Sequence, residues 1–303
     1  MKERIRIGFA DFWPRARRDI DTNPLYRLLS GAFDLDLVDD PDFLIYSCFG
    51  REHLRYDCVR IFYTGENRRP DFKSCDYAFS FDFPESERNF RLPLYRFYMD
   101  DPESLEHRHK SGFSSRRLPE RFCNFLYSNE GAPERIAFFR LLSEQARVDS
   151  GGGVLNNMGG RVDDKIEFLR MYRFTIAFEN ASWPGYTTEK ILQAFQAGSI
   201  PIYWGNPLID RDFNPDAFIN CHDFDSFEDV VEHVRRVDAD ESLYRRYLAA
   251  SVFPAGGPWR GVRDEVILER FRTIFSSGIR HRRGGRFDII RYHAGRIIRS
   301  LGR

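Results

Sequence analysis

The segment from residue 174 to residue 205 holds the densest set of side chains that could do chemistry. Its apolar start predicts a strand that ends at Phe178, so Glu179 and Asn180 follow directly after that strand. Open α/β sheets bind their ligands at the carboxyl ends of their strands. Both side chains are therefore candidates for lining a ligand pocket.

Tyr186, Glu189 and Lys190 lie a few residues further on, where the sequence predicts the N-terminus of a helix. Free N–H groups and the helix dipole favour an anion at such an end. A lysine there adds a compact positive charge for a phosphate, and a glutamate can accept hydrogen bonds from sugar hydroxyls. Two simpler readings stay open: Glu189 as a partner of the helix dipole only, and Lys190 as a solvated surface charge.

Arg135 lies in the predicted first turn of another helix, which Pro133 opens. A cation is electrostatically unfavourable at that end of a helix, so a nearby phosphate or carboxylate would explain it. The competing explanation is composition, because only five of the 46 basic residues are lysine and arginines are frequent throughout.

Glu66 follows another predicted strand, in the run from Phe62 to Asn67, with Gly65 beside it. A carboxylate at the carboxyl end of a strand is well placed to act as a general base in a cleft. An ordinary strand-end glutamate is the alternative.

The elements that would position these residues alternate between strands and helices, which predicts parallel βαβ units. Predicted strands cover residues 5–10, 35–39, 43–49, 59–64, 77–83, 123–128, 173–178, 200–204 and 217–221. Predicted helices cover residues 25–33, 133–146, 163–172, 188–197, 226–237, 241–250 and 262–275. We therefore expect an α/β protein with two doubly wound, Rossmann-like domains that face a cleft.

A polar stretch at residues 102–121 interrupts this alternation and is interpreted as a linker or loop. It predicts a first domain over residues 1–120 and a second over residues 121–279, followed by a tail over residues 280–303. A glycine-rich run at residues 151–160 could shape the wall of a nucleotide site or form a plain turn.

The tail differs from the rest of the chain in charge. The chain has 303 residues and no net charge, yet residues 280–303 carry eight arginines and one aspartate. Apolar residues at helical spacing over 286–301 predict a basic amphipathic helix, which is typical of a peripheral anchor on an anionic membrane surface. Packing on the protein itself or on a second copy is the alternative. Nucleic-acid binding is disfavoured.

The N-terminus has no apolar stretch of the kind that begins a secretory leader, and the five cysteines are scattered without C-x-x-C spacing. These features predict free thiols, a cytoplasmic location and no metal site.

The motifs resemble those of the α1,3/1,4-fucosyltransferases, glycosyltransferase family 10. The resemblance covers residues 58–275 and combines Glu179-Asn180 with the segment from Gly185 to Lys190. Further matching stretches are Phe62 to Asn67, Asp76 to Ala78, Ser128 to Arg135, Ile200 to Gly205, Asp212 to Pro215 and Phe218 to Phe224.

This resemblance implies a GT-B fold with an acceptor-binding first domain and a second domain that holds GDP-β-L-fucose. It implies an inverting reaction that requires no cofactor, with a divalent metal at most stimulatory. Arg135 and Lys190 would neutralise the diphosphate, and Tyr186 would donate a hydrogen bond to a phosphate. Glu189 would bind ribose or fucose hydroxyls, and Glu179 and Asn180 would line the donor pocket. Glu66 would be the catalytic base.

The acceptor expected from the resemblance is a GlcNAc-containing glycan, joined in α1,3 or α1,4 linkage. The residues leave open which glycan is used and whether the chain forms a homo-oligomer. A transferase for another nucleotide sugar, such as GDP-mannose, is the alternative enzyme, and a glycan-binding module without activity is the alternative outside catalysis.

Overall fold

The structure, a computed structural model, describes residues 2–99, 102–103, 105–106 and 118–281. The chain divides into two compact units. The first unit contains the residues up to Leu92 together with the segment that begins at Arg260, and the second unit is Pro93–Trp259. These units divide the chain differently from the predicted boundaries at residues 120 and 279.

The first unit contains a parallel sheet with the strand order β2-β1-β3-β4-β5-β6. Its strands are β1 Arg4–Ala10, β2 Asp34–Leu37, β3 Phe43–Tyr46, β4 Val59–Tyr63, β5 Tyr77–Ser80 and β6 Asn89–Arg91. Every residue of β3, β4 and β5 is buried, as expected for central strands that are covered on both faces. The sequence did not predict β6, whose three residues are too few to show a pattern.

Two helices follow β1 in the first unit: α1 Pro14–Arg18 and α2 Pro24–Ala32. The side chain of Asn23 accepts hydrogen bonds from the backbone N–H groups of Leu25 and Tyr26, so it caps α2. Leu25 and Leu29 form the buried stripe of this helix.

The second unit also contains a parallel sheet, with the strand order β11-β10-β9-β7-β8. Its strands are β7 Arg121–Phe125, β8 Val148–Ser150, β9 Tyr172–Phe178, β10 Ile200–Trp204 and β11 Ile219–Asn220. Strand β9 lies at the centre and pairs with β7 on one side and β10 on the other. The carboxyl ends of β7, β8 and β9 therefore meet at one edge of the sheet.

Helices connect the strands from β7 to β10, as the alternating pattern predicts, and further helices follow the last strand. They are α3 Pro133–Gln145, α4 Lys165–Leu169, α5 Glu189–Ala197, α6 Phe227–Ala239 and α7 Glu241–Ala249. Helix α5 ends at Gly198, which adopts the left-handed conformation with φ +73°. Ser226 and Asp240 cap the N-termini of α6 and α7 with their side chains.

The last helix, α8 Asp264–Ser277, belongs to the first unit although it follows the second in sequence. Its Phe271 ring stacks on Phe79 of β5 at 4.2 Å between centroids, and its Phe275 ring contacts Phe33 and Phe43. The chain therefore returns to complete the core of the first unit, and this return moves the boundary away from residue 279.

In the part of the chain that the structure describes, no helix combines the length and the apolar character needed to cross a membrane. The predicted amphipathic helix at residues 286–301 lies outside the described residues, as does most of the predicted linker.

Candidate active site

A cavity of about 430 Å³ opens in the second unit at the carboxyl ends of β7, β8 and β9. We call it the basic cavity. It is lined by Leu126, Tyr127, Ser128, Asn129, Arg135, Gly151, Gly152, Gly153, Arg161, Val162, Lys165, Asn180, Glu189 and Lys190. Four of these side chains are cations and one is a carboxylate. Its position is the one at which open α/β sheets bind ligands.

Arg135 is the most deeply buried cation of this cavity, with 1% of its surface exposed. Its guanidinium donates to Asn180 Oδ1 at 2.7 Å and to the Phe178 carbonyl at 3.1 Å, and it lies 3.8 Å from the centre of the Tyr127 ring. Among the described residues, no carboxylate lies within ion-pair distance of the Arg135 guanidinium, and the buried Nε of Arg135 has no hydrogen-bond partner. These neutral contacts fix the orientation of Arg135 and leave its charge uncompensated.

Glu179 and Lys190 form a buried ion pair at the end of β9. Glu179 is completely buried, and its Oε2 accepts hydrogen bonds from Lys190 Nζ at 3.0 Å and from the Thr188 hydroxyl at 2.7 Å. Its Oε1 accepts the backbone N–H of Thr188 at 2.7 Å. Burial acts to lower the pKa of Lys190, but the carboxylates of Glu179 and Glu189 outweigh it and raise that pKa well above its ordinary value. Lys190 is therefore held as an ammonium at the start of α5.

Glu179, which the sequence predicts to line the donor pocket, lies outside the lining of the basic cavity. Its carboxylate is directed at Thr188 and Lys190 and does not line the basic cavity. The physical reason is local packing. The Glu179 side chain fills the space next to Gly205, where a Cβ would lie only 2.5 Å from Glu179 Cγ. Glu179 therefore positions the Lys190 ammonium without lining the basic cavity itself.

Tyr186 is 2% exposed and also lies outside the lining of the basic cavity, and its predicted bond to a phosphate stays a prediction. It belongs to the loop that joins β9 to α5, and Asn206 holds that loop from the next strand end. Asn206 Oδ1 accepts the backbone N–H of Gly185 at 2.7 Å, and its amide donates to the Thr187 hydroxyl at 3.1 Å. Sequence reasoning missed Asn206, which is fully buried.

Glu189 and Asn180 both line the basic cavity. Burial acts to raise the pKa of Glu189, but the ammonium groups of Lys190 and Lys165 outweigh it and lower that pKa below its ordinary value. The carboxylate is therefore ionised beside the two lysines and can accept hydrogen bonds from hydroxyl groups.

Lys165 lines the same cavity, and sequence reasoning did not select it. It is the first residue of α4, directly after Asp164, which caps this helix by accepting the Glu167 N–H. Its ammonium has no hydrogen bond or ion pair within the described ranges, and burial lowers its pKa below the ordinary value for lysine. The rarity of lysine in this chain was the only signal in the sequence that could have found it.

The glycine-rich run forms one wall of the basic cavity through Gly151, Gly152 and Gly153. Gly152 tolerates no side chain, because a Cβ there would lie 2.1 Å from the Tyr127 carbonyl oxygen. Asn157 fixes the loop by accepting the Ser150 N–H at 2.8 Å and donating to the Val148 carbonyl at 2.9 Å. The backbone can therefore approach a ligand closely at this wall.

Glu66 lies in the first unit, just beyond the end of β4. Its side chain is exposed, and its backbone N–H donates to the Thr64 hydroxyl at 3.0 Å. The structure brings Arg135, Asn180, Glu189 and Lys190 together around one cavity. The predicted catalytic role of Glu66 stays a prediction.

Two family models match this chain. The N-terminal domain of the alpha-(1,3)-fucosyltransferase FucT matches residues 7–98, and the C-terminal domain of glycosyltransferase family 10, the fucosyltransferases, matches residues 120–250. The chain belongs to glycosyltransferase family 10. The resemblance inferred from the motifs is thereby confirmed.

Relatives of this family 10 chain include the alpha-(1,3)-fucosyltransferase FucT of Helicobacter pylori. It is 32% identical over 279 residues, which cover 79% of this chain and 58% of the relative. The putative fucosyltransferase R654 of Acanthamoeba polyphaga mimivirus is 30% identical over 212 residues, covering 66% of this chain and 34% of the relative. The family 10 chain thus spans less than two thirds of the length of either relative.

A crystal structure of an alpha1,3-fucosyltransferase with GDP-fucose is similar to the family 10 chain over 94% of both chains. The TM-score is 0.79 and the sequence identity is 27%. Together with the two parallel α/β units, this similarity confirms the predicted GT-B fold.

Proposed function

We propose that this chain is an inverting fucosyltransferase that moves L-fucose from GDP-β-L-fucose to a hydroxyl of a GlcNAc-containing glycan. The observation that carries the proposal is the charge of Arg135, which is buried in the basic cavity without a carboxylate partner among the described residues. A buried cation is costly unless an opposite charge pairs with it. A nucleoside diphosphate would provide that charge. The names of the relatives favour fucose as the sugar, since they are fucosyltransferases and one crystal structure contains GDP-fucose.

In this proposal the cations of the basic cavity bind the diphosphate. Arg135, Lys165 and Lys190 approach it from α3, α4 and α5, each near the N-terminus of its helix. Glu189 accepts hydrogen bonds from ribose or fucose hydroxyls, and Asn180 contacts the donor beside Arg135. Glu179 and Tyr186 support the site from beneath the cavity.

Glu66 removes the proton from the acceptor hydroxyl. The acceptor oxygen then forms a bond to the anomeric carbon of fucose as the bond from that carbon to the β-phosphate oxygen breaks, and GDP leaves from the opposite face. The exposed position of Glu66 at the end of β4 supports this role, because a base must reach its substrate.

Negative charge grows on GDP as it departs, and the fixed cations and helix N–H groups of the basic cavity offset that charge. Such groups need no rearrangement during the reaction, so we expect transfer without a divalent metal and at most stimulation by one. Removal of one comparable donor in other enzymes costs about 2.7–4 kcal/mol of transition-state stabilisation.

The test is release of GDP from GDP-fucose in the presence of acceptors that contain N-acetylglucosamine, measured with and without EDTA. Wild-type protein should release GDP and form a fucosylated product in both conditions. Glu66→Gln should lose product formation by a factor of at least about 100, within the range for general base catalysis, while binding GDP as wild type does.

GDP-mannose, assayed in parallel, separates the alternatives. Faster turnover with GDP-mannose than with GDP-fucose would show that the transferred sugar is not fucose. Glycan binding without release of GDP from either donor would favour a module without catalytic activity. Loss of GDP binding in Glu66→Gln would assign that residue a structural role. NMR analysis of the product distinguishes α1,3 from α1,4 linkage.

A further inference from the structure

The first unit contains a histidine–aspartate pair that the proposed reaction does not use. Asp11 follows β1 directly and is 3% exposed. Its Oδ2 contacts His53 Nδ1 at 2.6 Å and accepts the backbone N–H of His53 at 3.0 Å, while Oδ1 accepts the backbone N–H of Glu52 at 2.9 Å. The carboxylate thus ties the end of β1 to the loop after β3.

This pair fixes the tautomer and the orientation of the His53 ring. Burial acts to raise the pKa of Asp11, but the hydrogen bonds from His53 and Glu52 outweigh it and hold that pKa below its ordinary value. Because the carboxylate is ionised, Nδ1 of the ring donates to it, and Nε2 is the ring nitrogen that stays available for another partner. The ring also stacks on Tyr46, at 4.0 Å between centroids and an angle of 15° between planes.

The Nε2 atom of His53 has no hydrogen-bond partner in the part of the chain described, and 12% of the side chain is accessible. A histidine that is oriented by an aspartate and leaves Nε2 available matches the arrangement by which enzymes aim an imidazole at a substrate hydroxyl. A structural tie alone would not require the ring, because two backbone N–H groups already bind Asp11.

The backbone around the pair is unusual in two ways. Asp11 adopts the left-handed conformation with φ +57°, which is uncommon outside glycine although aspartate tolerates it better than most residues. Gly50 packs against the carboxylate so closely that a Cβ there would lie 2.2 Å from Asp11 Oδ1. Sparsely populated backbone conformations cluster at functional sites.

Two aromatic side chains flank the pair. The backbone N–H of Phe49 donates to the carbonyl of Asp11 at 3.0 Å, and Phe49 is 42% exposed. Trp13, two residues after Asp11, meets the Phe49 ring edge to face at 6.4 Å between centroids. Together they present an apolar, partly exposed surface whose backbone is joined to Asp11.

The pair lies at the carboxyl edge of the first sheet, where ligands bind in this class of fold. Ala10 at the end of β1 pairs with Tyr46 at the end of β3, and Tyr46 pairs with Phe62 of β4. Glu66 follows β4, and its loop contacts the loop after β3 through Thr64, whose hydroxyl lies 3.2 Å from Cys48 Sγ. His53 and Glu66 therefore belong to neighbouring loops of one sheet edge.

We propose that His53 Nε2 forms a hydrogen bond with a hydroxyl of the acceptor saccharide, whose apolar face rests on Phe49 and Trp13. This inference deepens the proposed function and rests on it. A sugar ring offers both features that the edge can bind, since its hydroxyls donate hydrogen bonds and its C–H groups form apolar faces. His53 is then an acceptor-binding residue, and proton removal stays with Glu66.

The decisive variant is His53→Asn, because the asparagine side-chain amide can still donate to Asp11 in place of Nδ1 but has nothing in place of Nε2. With N-acetyllactosamine as the acceptor, we expect the KM for acceptor to rise about tenfold. The KM for GDP-fucose and the slow hydrolysis of GDP-fucose without acceptor should stay at wild-type values. His233→Asn is the matched control, because His233 lies on α6 and contacts Tyr247 and Arg236.

Phe49→Ala provides a second variant, and it keeps the hydrogen bond from Phe49 to Asp11 because that bond joins two backbone atoms. It should also raise the KM for acceptor and leave hydrolysis unchanged. A KM for acceptor equal to that of wild type in either variant would overturn the proposal, as would equal changes in the KM values of donor and acceptor. Failure of the wild-type protein to transfer fucose to any acceptor would instead refute the proposed function.

Discussion

At the residue scale, the cations of the basic cavity differ in how far the protein already compensates their charge. Lys190 is paired with Glu179, and Arg135 is held by neutral oxygens and an aromatic ring. Lys165 has neither kind of partner within the described ranges. A phosphate that enters this cavity therefore gains most from cations without a carboxylate partner, such as Arg135 and Lys165.

Replacing Lys165 by methionine should weaken GDP binding by about 10- to 100-fold, which is the typical cost of one hydrogen bond to a charged group. Binding of guanosine, which lacks the phosphates, should be unchanged. Calorimetric titration of both ligands measures the two effects, and Lys73→Met is the control because Lys73 is exposed in the first unit. Equal losses for GDP and guanosine would assign Lys165 to the base or to folding.

The same residue gives this prediction a dependence on pH. Burial lowers the pKa of Lys165, so its ammonium loses its proton at a lower pH than an ordinary lysine does. Only the protonated form attracts phosphate, so GDP affinity should fall as the pH rises toward that pKa. The Lys165→Met variant should lack the loss of GDP affinity that deprotonation of Lys165 causes as the pH rises.

The sequence predicted residue types at strand ends better than it predicted side-chain directions. Asn180, Glu189, Lys190 and Arg135 line one cavity because they follow strands or open helices at the same sheet edge. The Glu179 side chain points away from the basic cavity because it packs against Gly205 and accepts the N–H of Thr188. The sequence pattern reveals neither of these contacts. Lys165 was missed although a helix was predicted over residues 163–172, because the sequence does not show that the start of this helix lies beside Glu189 and Lys190.

At the element scale, strands and helices with strong patterns were predicted closely, and short elements were not. Strand β9, predicted at 173–178, spans Tyr172–Phe178, and helix α5, predicted at 188–197, spans Glu189–Ala197. Strand β8 has three residues and was not predicted, since it depends on pairing with β7. The conformation of the glycine-rich run that follows β8 is fixed by Asn157, which bonds back to β8, and by Tyr127, which follows the neighbouring strand β7.

Gly152→Ala tests whether this loop needs its glycine. The added Cβ would overlap the Tyr127 carbonyl, so the loop or β7 must shift, and we expect a loss of about 1–3 kcal/mol in the free energy of unfolding, with weaker GDP binding. Gly160→Ala, in the same run, has nothing within 4 Å of its Cβ and should change stability by less than about 0.5 kcal/mol. Urea unfolding followed by fluorescence compares the two variants, and equal effects would contradict the packing argument.

At the scale of the whole molecule, the order of elements in the sequence does not match the unit to which each belongs, because α8 follows the second unit in sequence but is part of the first. The alternating pattern correctly predicted two parallel sheets, but it assigned α8 to the unit that precedes it in sequence. Only the contacts of Phe271 and Phe275 with the first sheet reveal where this helix belongs. The sequence pattern does not predict such long-range aromatic contacts. Its periodicity shows that a helix has an apolar face, but not which sheet that face packs against.

Charge also divides the molecule, and this division leads to a prediction about its location. Residues 280–303 hold eight arginines and one aspartate, so the remaining chain is negative by the same amount as the tail is positive. Each basic residue near an anionic bilayer contributes about 1 kcal/mol of attraction, and added salt screens it. We propose that this tail holds the enzyme on the cytoplasmic face of a membrane, where lipid-linked glycans would be within reach.

The full chain should therefore sediment with vesicles that contain phosphatidylglycerol and should be released at high salt, whereas vesicles of phosphatidylcholine alone should not retain it. A chain that ends at His281 should stay in solution, and it should still bind GDP because it keeps every residue of the basic cavity. It also keeps α8 and the hydrogen bond from the His281 N–H to Asp76, which belong to the first unit. Equal sedimentation of the two chains would contradict membrane docking. If the shorter chain also changed its mass in solution, the arginines would instead hold copies of the protein together, because removing a membrane anchor alone leaves the oligomeric state unchanged.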